Sequence, residues 1–323
     1  MNQTKNIRWL IAHEPVKLFL RTAEAFQQKI AELTDNEYQV EIFTPETYCA
    51  KKQAVDADFK KENVDPMIDM EAGELEMSQM HITELARFHS PDFWALELPF
   101  LFRDHDHAAR VLEGPIGKTM LTNLQDRSPA TGLAFTYSGG FRCVASDSEI
   151  TSLTDFEGIK FATGHNPVTM DTVEAIGANP EPFSVRDFTH KLFKEGYTAD
   201  ALETTIPRYL AQLQHTTKKY LLNTKHSLFL TSIIISNKFL ASLDEETRAK
   251  FQEACTYASR LERKWSVEDA EKFAASTNKS EIGVTYREAT TEETAELKAK
   301  TAPIIEKYKD FFTVGLVDGI IRS

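Results

Sequence analysis

From Ile7 to Phe43 the apolar pattern changes period twice, and this constrains the fold more than any other feature of the chain. Ile7–Ala12 reads as a strand. Val16, Phe19, Ala23, Phe26, Ile30 and Leu33 then recur at spacings of three and four, the signature of a helix with one buried face. Tyr38, Val40 and Ile42 alternate on a second strand. Two strands joined through a helix pair in parallel, and parallel strands need cover on both faces. The chain is therefore committed to an α/β architecture from its first elements.

The rest of the chain repeats the alternation. Thr44–Pro66 is polar, with room for a short helix. Leu75–Met80 predicts a strand and His81–Phe88 a helix. Leu98–Leu124 predicts two helices, one capped by Asp104 or Asp106 and the next opening at Pro115. Thr131–Ser138 predicts a strand, and Phe141–Ser146 a second one that crosses between domains, with the glycines of Ser138-Gly139-Gly140 forming a loop before it. Strand Ile159–Ala162, helix Val168–Ile176 ending at Gly177, and strands Tyr220–Asn223 and Leu228–Ser236 follow. A capping box of Ser242 and Glu245 opens a helix without proline over Asp244–Ala275. At about 1.5 Å per residue it is long enough to brace two lobes. Val284–Arg287 and Glu292–Tyr308 close the chain as strand and helix. These elements divide into a first lobe, residues 1–140, and a second, 141–236, with return segments 237–323 shared.

Bulk properties exclude several functions. The chain has 323 residues and a net charge of −12, without the basic patch that phosphate backbones or anionic membranes require. No stretch reaches the roughly 18–20 apolar residues of a membrane helix. The N-terminal Trp9–Ala12 is too short for a signal-peptide core, so the chain is either cytosolic or shorn of its leader. Cys49, Cys143 and Cys255 form no CxxC pair or zinc pattern, and Cys143 and Cys255 read as buried thiols. His105 and His107 flank Asp106, but on a helix their rings point roughly 200° apart, so the group reads as a solvated helix start and not a metal site.

No catalytic constellation emerges. There is no GxSxG elbow and no phosphate-binding glycine loop, and the 49 acidic residues supply no distinguishable acid–base pair. The chain reads as a non-enzyme with no cofactor and no metal. In α/β folds ligands lie beyond the carboxyl ends of strands, which selects His13, Gln79, His81, Tyr137, the Thr163–His165 turn and the segment Thr204–Arg208 with Thr205 and Arg208. Arg142, on the crossing strand, is placed to hold a carboxylate by two parallel hydrogen bonds or to form a surface or interlobe salt bridge. His226, before the strand at Leu228, joins this set.

Several motifs together resemble the solute-binding proteins of tripartite ATP-independent periplasmic (TRAP) transporters, of the dicarboxylate-binding type. They are Gly73–Gln79 (GELEMSQ), Glu97–Leu124, Gly140-Phe141-Arg142, Leu153–Lys160, Ala175–Ala178 and Lys225–Leu243, in family order between Arg8 and Ala254. The resemblance implies a bilobal periplasmic-binding-protein fold, type II-like, with hinge strands and a long C-terminal bracing helix. It implies a monomeric periplasmic receptor that closes on a small organic acid and delivers it to membrane permease subunits, neither inserting in the membrane nor binding nucleic acid. A sensor signalling to a partner other than a permease is the alternative, as is a neutral or aromatic ligand.

The pocket departs from the family pattern. The strand Gly158-Ile159-Lys160-Phe161-Ala162 carries Ala162 where the family's Gly-x-Lys-x-Arg has the arginine that clamps the ligand carboxylate. The acidic-glycine stretch expected after Ala201-Leu202 is replaced by Thr204–Tyr209, and Val185–Asp200 is longer than usual and rich in charge. Three answers are open: Arg208 replaces the lost guanidinium, Arg142 holds the acid alone, or a less acidic or larger ligand fills the vacated space; Arg142 assisted by Arg208 is the leading expectation.

Overall fold

The computed structural model describes residues 4–13, 16–88, 90–183, 199–276, 279 and 281–323. Most of the stretch read as Val185–Asp200 lies outside the described residues. In chain order the strands are β1 (Lys5–Ile11), β2 (Tyr38–Phe43), β3 (Met77–His81), β4 (Ala130–Ser146), β5 (Lys160–Gly164), β6 (Asn179–Phe183), β7 (Ala201–Thr205), β8 (Tyr220–Asn223), β9 (Leu228–Ser236) and β10 (Thr285–Glu288). The helices that matter below are α1 (Val16–Leu33), α2 (His105–Glu113), α3 (Pro115–Asn123), α4 (Pro167–Ala175), α5 (Glu245–Ala275) and α6 (Thr291–Tyr308).

The chain divides into two compact units. The first comprises Met1–Leu85, Leu112–Thr136 and Thr231–Trp265; the second comprises Ala86–Val111, Tyr137–Leu230 and Ser266–Ser323. Strands β4 and β9 and helix α5 each contribute residues to both.

In the first unit the strands run β2-β1-β3-β9. The β1 strand is parallel to β2 and β3, as the opening pattern requires, and β9 is antiparallel to β3. Helices α1 and α5 cover this sheet through an aromatic stack. Trp9 meets Phe26 at 5.1 Å, Phe26 meets Phe251 at 5.9 Å, and Tyr38 meets Phe251 edge-on at 5.3 Å. Burying rings of this size supplies much of the stability of such a core. Glu76, from the GELEMSQ motif, accepts the Arg8 backbone N–H at 2.7 Å and its side-chain Nε at 2.8 Å, which ties β1 to the approach to β3.

In the second unit the order is β4-β7-β5-β6, with β8 pairing β4 and β10. The β7 strand lies antiparallel to β4, with Arg142 opposite Thr205 and Val144 opposite Glu203. It lies parallel to β5, with Ala162 opposite Leu202. Neighbouring residues on a strand face opposite ways, and two separate apolar clusters result. One gathers Cys143, Ala145, Ala162, Leu202, Tyr209 and Phe273. The other gathers Val144, Phe156, Phe161, Val173 and Leu297, from the sheet, α4 and α6.

Several local expectations need correction. The segments read as separate strands around Gly139-Gly140 form one continuous β4 of 17 residues. The glycines, at φ +92° and +89°, let the strand bend without breaking. Helix α5 is capped by Asp244 and not by Ser242: the Asp244 carboxylate accepts the Thr247 N–H at 2.7 Å, while the Ser242 hydroxyl donates back to the Phe239 carbonyl. Asp104 caps α2 by accepting the His107 N–H at 2.7 Å. His107 is fully buried, with Nε2 2.8 Å from the Ile320 carbonyl, so this helix start is not a solvated one.

Candidate ligand-binding site

The second unit holds a buried polar cluster built outward from β4. At Gly139 an added Cβ would lie 2.2 Å from the Thr205 hydroxyl oxygen. Glycine therefore permits β7 to approach closely enough for Thr205 Oγ1 to donate to the Ser138 carbonyl at 2.7 Å. The Ser138 hydroxyl accepts from Arg208 Nη1 at 3.1 Å.

Arg142, only 3% exposed, sits among these strands. Its Nη2 donates to Glu97 Oε1 at 2.8 Å and its Nη1 pairs with Glu203 Oε1 at 2.7 Å. Its Nε is buried with no hydrogen-bond partner among the described residues. The guanidinium carbon lies 4.2 Å from the centre of the Phe229 ring, and that of Arg208 lies 4.7 Å from the same ring. One aromatic side chain thus carries two buried cations, an arrangement that gains from desolvation.

Both carboxylates are anchored a second time. Glu97 Oε2 accepts from Asn166 Nδ2 at 2.7 Å. Glu203 accepts from the Thr163 hydroxyl at 2.8 Å and the Gly164 N–H at 3.2 Å, and His226 Nε2 approaches at 3.3 Å. Burial pushes the Glu203 carboxyl up, but the Arg142 charge, with His226 and Thr163, outweighs it and brings the pKa down to about 2. Thr224 Oγ1 holds the other His226 nitrogen at 2.6 Å. Beside this network lies a small cavity bounded by Glu97, Phe100, Glu203 and His226 on one side and by Phe156, Phe161 and Leu297 on the other. Its volume of about 30 Å³ is enough for a water molecule.

Tyr137 lies at the second unit's end of β4, with its hydroxyl 3.2 Å from His105 Nδ1. Burial, the leading cause, lowers the His105 pKa, which favours the neutral ring. In the first unit His13 stacks on His81 at 5.4 Å with planes 5° apart. Gln79 donates to the Thr136 and Thr231 hydroxyls at 2.8 and 3.2 Å. The structure thus brings Arg142, Thr205, Arg208 and His226 into one cluster and places Tyr137 on the same strand. Ala162 is 2% exposed in the apolar cluster with Cys143, the immediate neighbour of Arg142 on β4, so Ala162 and Arg142 face opposite ways.

The sequence reading missed Glu97, Glu203, Asn166 and Phe229. A usable signal was present for the two acids. Glu97 interrupts the apolar run Phe93-Trp94-Ala95-Leu96 and Leu98, and Glu203 follows Ala201-Leu202 on a strand. A carboxylate in such a pattern is buried, and a buried carboxylate needs a cation. Among the described residues no group of three or more metal-ligating side chains converges, and no helix is long and apolar enough to cross a membrane.

Comparison with known proteins identifies the fold and the family. The chain is 26% identical over 203 residues to an uncharacterised protein of Haemophilus influenzae, covering 60% of this chain and 61% of that one. It is 25% identical over 239 residues to the C4-dicarboxylate-binding periplasmic protein DctP of Rhodobacter capsulatus, covering 73% and 70% of the two chains. A TRAP periplasmic solute-binding protein of Ochrobactrum anthropi superposes with a TM-score of 0.80 at 26% identity, over 100% of this chain and 95% of that one. The sugar-acid-binding protein DctPAm of Advenella mimigardefordensis, in complex with galactonate, superposes with a TM-score of 0.82 at 23% identity, over 100% and 98%. The architecture is the mixed α/β, bilobal periplasmic-binding-protein fold. The family profile described as bacterial extracellular solute-binding protein, family 7, matches residues 13–310. The chain belongs to that family, a non-enzymatic, extracytoplasmic class of transport proteins that binds small ligands and works with membrane permease components.

Proposed function

We propose that this chain captures a small organic acid and delivers it to the membrane subunits of a TRAP transporter. One observation carries the ligand class: two buried guanidinium groups, Arg142 and Arg208, converge on Phe229 inside the second unit. Arg142 has Glu97 and Glu203 as anionic partners within the protein, and its Nε, unpartnered among the described residues, together with the Arg208 charge would favour a further carboxylate here. DctP is named for C4-dicarboxylates and DctPAm was solved with galactonate, and both names support the reading.

The residues divide the work in this proposal. Arg142 is oriented by Glu97 and Glu203, and its Nε remains as a buried donor that a ligand oxygen would satisfy. Arg208 supplies the charge that meets the ligand carboxylate. Thr205, His226 and Tyr137 line the same region.

A thermal-shift panel of organic acids, neutral sugars and aromatics tests this. Binding stabilises the folded state by mass action, by about 2.7 kcal/mol at a hundredfold excess over Kd. Acids should raise the melting temperature, and Arg208→Gln should weaken their binding at least tenfold. A shift confined to neutral or aromatic compounds would overturn the ligand class. Transport in vesicles reconstituted with TRAP permease subunits, with and without this chain, tests delivery: uptake that does not depend on the chain would remove the permease from the proposal.

A further inference from the structure

We infer that Phe229 is a positioning residue for acid binding: its ring holds the flat faces of Arg142 and Arg208 and leaves their N–H edges for hydrogen bonds. The inference rests on the proposal that an organic acid binds beside these two guanidiniums.

Phe229 lies on β9 and is 8% exposed. Two residues before it, the Ser227 carbonyl accepts the Arg142 backbone N–H at 2.8 Å, which holds the start of β9 against Arg142. The Phe229 ring centre is then 4.2 Å from the Arg142 guanidinium carbon. Arg208 reaches the same ring from the turn that follows β7, with its guanidinium carbon at 4.7 Å. That turn is anchored by the next residue: Tyr209 is fully buried, and its hydroxyl donates to the Lys218 carbonyl at 2.7 Å.

Stacking matters because of what it leaves available. A guanidinium on an aromatic face is attracted through its flat side and spends no N–H on the contact. A polar side chain in the place of Phe229 would take donors instead. The ring therefore adds to the contacts of Arg142 with Glu97 and Glu203, and of Arg208 with Ser138, without competing against a ligand oxygen. Arginine also has many rotamers, and ordering such a side chain when a ligand binds costs affinity. A ring that holds both guanidiniums beforehand removes part of that cost. An aliphatic residue would fill the space but would lack the negative face that attracts the cations.

Titration calorimetry of the whole chain with galactonate, erythronate and succinate tests the inference. Phe229→Leu should weaken binding by about fivefold or more. Replacing Phe229 with mono-, di- and trifluorinated phenylalanine separates this role from packing, because fluorine weakens the negative face of the ring at nearly constant volume. Affinity for the acids that wild-type protein binds should fall stepwise along this series, by about fivefold to tenfold for the trifluorinated ring. Cooperative thermal melting establishes that each variant is folded, and the fluorinated series decides the matter should the leucine variant not fold.

Affinity unchanged along the series overturns the inference, because a ring that only fills space is indifferent to its charge distribution. Affinity that rises with fluorination also overturns it, since the ring would then face the ligand carboxylate directly and repel it. Failure of the underlying reading looks different. There, wild-type protein binds none of these acids, and both conclusions fall together.

Discussion

Arg142 and Glu203 lie on neighbouring strands, two residues out of register on the same face of the sheet, and their Nη1 and Oε1 atoms are 2.7 Å apart. Because Arg142 opposes Thr205 and Glu203 opposes Val144, the two side chains are diagonal neighbours, within the reach of long side chains across a strand pair. The contact couples the stability of the second unit to the same charges that shape its candidate site.

Acid should therefore destabilise the protein partly through Glu203. Its folded pKa, about 2, lies below its ordinary value of 4.5. The ionised form is favoured by folding, so its contribution is fully present above about pH 4.5 and is lost as pH falls through about 2. At about 1.36 kcal/mol per pH unit the contribution is on the order of 3 kcal/mol. Urea-unfolding free energies measured from pH 6 downward should fall less steeply for Glu203→Gln than for wild type. Parallel profiles would show that the carboxylate is not held in this way.

Removing the guanidinium should cost more than removing one of its partners. Arg142→Met strands two buried carboxylates, and breaking a buried pair costs about 3–5 kcal/mol. The double variant Arg142→Met/Glu203→Gln should recover part of this loss in guanidinium-chloride unfolding. If the double variant is less stable than the single one, the pair is not the source of the coupling. It follows that lost binding in any Arg142 variant reports on the ligand only where the fold is intact.

Adjacent glycines on β4 should differ in their tolerance of a side chain. Both have positive φ, which costs an L-residue about 1–2 kcal/mol. At Gly140 an added Cβ would come no nearer than 3.7 Å to His105, whereas at Gly139 it would collide with Thr205 at 2.2 Å. Gly139→Ala should accordingly be the more destabilising by about 1–3 kcal/mol, the usual range for overpacking. Equal chemical-denaturation midpoints for the two variants would contradict the close approach of β7 to β4.

At the head of α5, Asp244→Ala should lower the melting temperature by about 2–4 °C, because it removes the oxygen that accepts the Thr247 N–H. Ser242→Ala should have a smaller effect, since that hydroxyl bonds only to the Phe239 carbonyl within the described structure. A larger loss for Ser242→Ala would restore the capping box read from the sequence.

The elements that could be read directly are those whose apolar period is unbroken. Tyr38–Phe43, Tyr220–Asn223 and Leu228–Ser236 agree to the residue with β2, β8 and β9. Other boundaries shift by a residue or two, as at β3, which starts at Met77 and not Leu75. The double glycine misled because its usual meaning is a turn; here pairing with β7 and β8 beyond it holds the strand together. His107 misled because its burial comes from the Ile320 carbonyl, more than two hundred residues away in the chain.

The candidate site divides along the same line. The sequence alone determined the α/β class, the family motifs and the presence of a telling arginine at 142, since each is written in local spacing or residue type. Tertiary structure alone decided what that arginine contacts. Glu97, Asn166 and Glu203 come from a turn, a loop and a strand separated by tens of residues; Glu97 and Glu203 meet at one guanidinium and Asn166 holds Glu97, and only the folded chain brings them together. Charge pairing acts through space over a few ångströms and leaves no period in the chain, so the partners of Arg142 and the sheet face of Ala162 became definite only when the strands were aligned.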